Sequence, residues 1–131
     1  KENISDYYEA FKICNNPKSK GDLTPFVIMF LKIINKLFEN LLDALYKRKE
    51  NLEKYFSIVS KIKGIDKDLS YVLLQGALFS NLGIDKKDLC NTLEISESTL
   101  SKRLKAIAKL GYLIVKKNGR VNHYSFNIDK L

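Results

Sequence analysis

The sequence predicts a mainly α chain: a helical hairpin or long helix first, then three short helices closed by a small β-hairpin. Three observations predict it. A seven-residue apolar repeat runs from Val27 to Ile62 with no Gly or Pro to break it. Beyond it, Asp68, Asp85 and Ser96 each stand before a helix-periodic stretch, and Gly83 and Gly111 close the first and last of these. Finally, two apolar runs flank Asn118-Gly119, the strongest short hairpin signal.

The first element is an amphipathic helix over residues 5–14, where Tyr7, Tyr8, Phe11 and Cys14 recur at helical spacing. Residues 15–21, Asn-Asn-Pro-Lys-Ser-Lys-Gly, have loop composition. Thr24 then reads as an N-cap, and Pro25 suits a first helical turn because its missing N–H has no partner there anyway. In the stretch that follows, Leu31, Phe38, Leu45, Leu52 and Val59 form one row. Val27, Ile34, Leu41, Tyr55 and Ile62 form the second, with Arg48 its polar member. Such a repeat keeps one seam along a single helix or two collinear ones, and residues 46–51 are the expected place for a kink or turn. The seam must be covered by the first helix, by the C-terminal module or by a second chain.

Lys63-Gly64 closes that region and sets the expected division of the chain, a helical segment over 1–63 and a second domain over 64–131. Within the second domain, helices are expected over Leu69–Leu82, Lys86–Leu93 and Glu97–Leu110. A strand over Tyr112–Val115, a turn over Lys116–Arg120 and a returning strand over Val121–Asn127 complete it. Helix, helix, helix, strand, turn, strand, with only Glu94 to Ser96 between the second and third helices, is the order of a winged helix-turn-helix.

The third of these helices is two-faced. Leu100, Leu104 and Ile107 lie on one side; Ser98, Lys102, Lys105 and Lys109 lie opposite at the same spacings. The apolar side anchors the helix and the basic side is free to meet a polyanion. Hydroxyls at Ser98, Thr99 and Ser101 fit the N-terminal turns of a helix docked in a groove, where they can reach base edges. Lys102, Arg103, Lys105 and Lys109 fit phosphate contacts, as do Lys116, Lys117 and Arg120 on the hairpin. Glu97 opposes this reading, since a carboxylate there stands close to phosphates. The chain carries a net charge of +8, and between Ser98 and His123 it has seven Lys or Arg and no Asp or Glu. Duplex DNA is the expected partner. A module that binds protein through the same fold is the alternative, because fold alone does not decide function.

Other classes are poorly served. No run of about 18 apolar residues exists to span a membrane; the longest, Phe26–Leu31, ends at Lys32. The first thirteen residues are polar, and acidic as well as basic, so no signal peptide is expected in them. Cys14 and Cys90 form neither a disulfide framework nor a metal motif, and reduced thiols in a cytoplasmic protein are expected. No paired carboxylates, nucleophile–histidine arrangement or phosphate loop stands out, so no catalytic residue, metal, cofactor or small-molecule ligand is expected. The chain begins with Lys1 rather than Met, and a piece of a longer protein is expected.

Two resemblances extend this reading. The run from Leu89 to Tyr112 resembles the helix-turn-helix of many bacterial winged-helix regulators. Tyr7-Tyr8-Glu9-Ala10-Phe11, Gly21-Asp22-Leu23-Thr24-Pro25-Phe26 and Phe30-Leu31 resemble the C-terminal end of a Fic (filamentation induced by cAMP) domain, some members of which continue into a winged helix. That resemblance implies a parent that transfers AMP to a hydroxyl side chain, a protein adenylyltransferase. Its histidine and glycine-rich loop, of the type His-Pro-Phe-x-x-Gly-Asn-Gly-Arg, have no counterpart here. The sole histidine, His123, follows the only Asn-Gly-Arg, Asn118-Gly119-Arg120, which is preceded by Lys117 and belongs to the hairpin. The expectation is therefore a non-enzymatic, transcription-regulator-like DNA-binding region of a Fic-family protein. A regulatory or dimerisation module is the alternative, with a homodimer formed through the 27–62 seam.

Overall fold

The computed structural model describes residues 4–131. It is mainly helical, with five α-helices and a three-stranded antiparallel sheet, and it divides into two compact units, Lys1–Tyr46 and Lys47–Leu131.

The first unit holds α1 (Ile4–Cys14) and the start of α2 (Thr24–Val59). Ala10 and Cys14 are the buried residues of α1, and the ring of Tyr7 meets that of Phe26 edge-on at 5.8 Å. Pro17–Ser19 makes one tight helical turn capped by Asn16, whose side chain accepts from the Lys18 N–H at 2.9 Å. Thr24 is not the capping side chain expected of it. Asp22 accepts from the Thr24 N–H at 2.9 Å, and Thr24 is already helical. Hydrogen bonds from the Thr24 hydroxyl and then its N–H hold the Asp22 carboxyl below its ordinary value. This turn is therefore stabilised at neutral pH, and that contribution fades as pH falls through the lowered value.

The helix α2 is one element of 36 residues with no interruption at 46–51. Leu, Ala, Lys, Arg and Glu make up most of residues 40–54, and the absence of Gly or Pro there leaves nothing to break the helix. It stops at Val59, short of the expected Lys63, and the chain tightens through Ser60, Lys61 and Ile62, whose N–H groups bond back to Phe56, Ile58 and Val59.

The second unit begins within α2, so Leu52 and Val59 share the core of the C-terminal helices, whereas the sequence-based division at 63/64 follows the helix end. Its elements are α3 (Lys67–Phe79), β1 (Ile84–Asp85), α4 (Lys86–Leu93), α5 (Glu97–Lys109), β2 (Leu113–Asn118) and β3 (Val121–Phe126). Leu69, Leu73 and Leu74 of α3, Leu89 of α4 and Leu100 and Ile107 of α5 are fully buried. Phe126 of β3 joins them and stacks on Tyr112 at 5.4 Å.

The caps follow the expected chemistry with one shift. Asp85 and Ser96 accept from the N–H groups of Asp88 and Thr99, as the sequence suggests. For α3 the cap is Asp66, accepting from Leu69 at 3.1 Å, and not Asp68, which lies in the first turn. The same helix ends at Phe79 instead of Leu82. The Ser80 hydroxyl folds Ser80–Gly83 into a turn by accepting from Gly83 N–H and donating to Gly83 C=O, both at 3.1 Å. That turn feeds β1, a strand absent from the sequence reading, and the sheet order is β1-β3-β2. A two-residue strand has no periodicity to recognise; only its pairing, Ile84 with Tyr124 and Asp85 with His123, reveals it.

Gly83 makes this junction fit. It has φ of +100°, and a Cβ there would stand 2.6 Å from the Tyr124 carbonyl oxygen. A Gly83→Ala change is expected to lower stability by more than about 1 kcal/mol, because strain and clash add. A urea titration followed by circular dichroism checks this; an unchanged midpoint would contradict the described junction.

The hairpin also differs in register from expectation. Lys116, Lys117 and Asn118 belong to β2, and Asn118 pairs with Val121, so the two loop residues are Gly119 and Arg120. Gly119 alone of the two has positive φ, at +59°. A loop with Gly first suits the twist of the strands without forcing Arg120 into a left-handed conformation, and the ladder is longer as a result.

Candidate nucleic-acid interface

The helix pair α4–α5 is set by the turn between them. Glu94 takes a left-handed conformation (φ +52°), and the Ile95 N–H bonds back to Cys90 C=O at 3.1 Å. Ser96 then starts α5 in a new direction. With Leu100, Leu104 and Ile107 buried, helical geometry turns Ser98, Lys102, Lys105 and Lys109 outward, and all four are exposed.

The hydroxyls at the start of α5 form a connected group. Ser96 Oγ lies 3.0 Å from both Ser98 Oγ and Thr99 Oγ1, and Ser101 Oγ donates to Glu97 C=O at 2.8 Å. Ser98 is exposed, whereas Thr99 and Ser101 are half-buried. These hydroxyls thus brace the helix start as well as edging its outer face. Ser98 and the cap Ser96 are the exposed members of this group. Glu97, the opposing charge, is engaged by Lys86 Nζ at 3.1 Å, which offsets its repulsion of an anion.

The cations divide into two groups. Arg103 is half-buried and pairs with Asp66 Oδ2 at 3.3 Å, so the residue that caps α3 also holds α5. This positions the helix rather than offering a charge to a ligand. Lys116 Nζ donates to Asn81 C=O at 3.1 Å, fastening β2 to the loop before β1. Lys102, Lys105, Lys109, Lys117 and Arg120 are exposed, and among the described residues none pairs with a carboxylate. Nothing local in the sequence signals the pairing of Asp66 with Arg103, because the two residues meet only through the tertiary fold.

His123 is half-buried on β3, opposite Lys116 on one side and Asp85 on the other, with no hydrogen-bond partner for Nδ1. Among the described residues no group of three His, Cys, Asp or Glu could hold a metal, and no helix is long and apolar enough to cross a membrane. Both cysteines are free thiols. The chain matches no family model, no curated protein and no solved structure.

Proposed function

We propose that the second unit is a DNA-binding winged helix of the transcription-regulator kind, with α5 as the groove-entering helix and the β2–β3 hairpin as the wing. The observation that carries this reading is the set of five exposed cations, Lys102, Lys105, Lys109, Lys117 and Arg120, without acidic partners among the described residues. Solvated faces of ordinary helices mix charge signs, whereas Ser98 to His123 has no Asp or Glu. Ser98 and the α5 N-terminus supply a place for a phosphate or base edge, and the lysines supply sequence-independent attraction.

The reading extends to the first unit through its Fic resemblance. There α1 and the start of α2 correspond to the end of a Fic domain whose AMP-transferring core lies outside these 131 residues. The DNA-binding region acts in the cytoplasm and carries no catalytic residue. Incubation with labelled ATP should leave protein targets unlabelled, and transfer of label by the chain would contradict the assignment.

Lysine footprinting tests the interface directly. With a mixed-sequence duplex present, Lys102, Lys105, Lys109 and Lys117 should be shielded from an amine-modifying reagent, while Lys32, Lys36 and Lys54 stay reactive. Equal reactivity of the two sets would remove this face from consideration.

A further inference from the structure

The part of α2 that carries the heptad seam has two fates. Leu52 and Val59 are buried in the core of the second unit, so the 27–62 seam is not free as a whole. Upstream, from Asn35 to Asn51, every residue of the helix is exposed. Nine large apolar residues between Val27 and Leu45, among them Leu31, Leu37, Phe38 and Leu41, are 41–60% exposed.

These residues fall on or beside one stripe, because positions three, four and seven apart share a helix face. The first helix does not cover it. The groove between α1 and α2 is lined by Ala10 and Ile13 against Pro25, Ile28, Met29 and Ile33, and of these only Ile28, at the stripe's edge, is also among the nine. On the stripe no charge occurs between Val27 and Leu45; Arg48 and Lys49 end it. Lys32, Lys36, Glu39 and Asp43 lie around the opposite face.

The area argues for a specific occupant. Phe30 and Phe38, at about 150–250 Å² per aromatic side chain, together with seven aliphatic residues, all about half exposed, leave several hundred Å² of apolar surface per chain. A monomer's largest apolar patch is roughly 300–600 Å². A standard stable interface buries about 800 Å² from each partner. Two copies of this stripe therefore supply the apolar part of what a stable dimer needs. An uncharged stripe also matches itself, since a two-fold pairing sets apolar residues against apolar residues and leaves the outer charges in water.

We infer that residues 27–45 of α2 are the contact surface for a second copy of this chain, forming a homodimer. This inference rests neither on DNA binding nor on the Fic resemblance, and a single-chain mass would leave the stripe to a Fic core instead. Sedimentation equilibrium of the 131-residue chain at micromolar concentration should give twice the 15.1 kDa chain mass. Replacing Phe38 and Leu41 together by Glu should weaken association by on the order of a hundredfold and leave a single chain, because carboxylates would have to enter an apolar seam. Phe38 and Leu41 lie outside the core of the second unit, so that unit should melt as before by circular dichroism. Lys36→Glu, on the outer face, should remain dimeric. A single-chain mass for the unaltered protein, another multiple of that mass, or a dimer that survives Phe38→Glu/Leu41→Glu overturns the proposal.

Discussion

Changing Lys102 and Lys105 together to Ala is expected to weaken binding to every duplex by roughly tenfold to a hundredfold at moderate salt. Both ammonium groups stand on the exposed face of α5, one turn apart, and neither has an acidic partner among the described residues. Their loss therefore removes charge without unpairing a neighbour, and the buried face, Leu100, Leu104 and Ile107, stays in place. Two fewer counterions released should flatten the slope of log affinity against log salt by about 1.8. The loss should be similar for unrelated sequences, because phosphate contacts position without reading bases. Fluorescence anisotropy with two unrelated duplexes checks both points. Unchanged affinity would remove α5 from the interface, and a loss confined to one sequence would show that these lysines touch bases instead.

The second large effect concerns the fold that presents this face. Phe126 is 1% exposed, stacks on Tyr112 and lies in one cluster with Leu73, Leu89 and Leu104. A Phe126→Ala change is expected to cost about 3–5 kcal/mol, combining lost burial with the cavity left behind. That is a large share of a typical domain's stability of roughly 5–15 kcal/mol. Urea unfolding should show the midpoint fall sharply. A loss under about 1 kcal/mol would mean that β3 does not seal this core.

Much of this architecture is legible in the residues. The caps at Asp85 and Ser96, the bounds of α4 and the two faces of α5 follow from local chemistry, and the structure has them as expected. The differences arise where tertiary contacts decide. β1 is too short to carry a pattern and exists because β3 offers it a partner. The hairpin shifts its loop to Gly119-Arg120 because strand pairing outweighs the local preference of Asn-Gly for the loop centre. Heptad spacing marks the α2 seam as needing cover, yet spacing alone does not separate the buried Leu52 and Val59 from the exposed Leu37 and Phe38.

The candidate interface was legible in the same uneven way. The outward lysines of α5 follow from helical period. The engagement of Arg103 by Asp66, of Lys116 by the Asn81 carbonyl and of Glu97 by Lys86 does not, because each depends on where the chain returns. Of the ten expected contact residues, Arg103 is paired with Asp66, and Thr99 and Ser101 are half-buried and bonded within the chain; the other seven are exposed, Ser98 sharing its hydroxyl with Ser96 and Lys116 donating to Asn81 C=O.

Whether these cations meet nucleic-acid phosphates is decided by a salt titration of the unaltered chain against a mixed-sequence duplex. Five phosphate contacts predict a slope of about −4.5, so affinity should fall several-hundred-fold between about 50 and 200 mM salt. No binding at the lower salt, or binding insensitive to salt, would leave the basic face of α5 without its proposed partner.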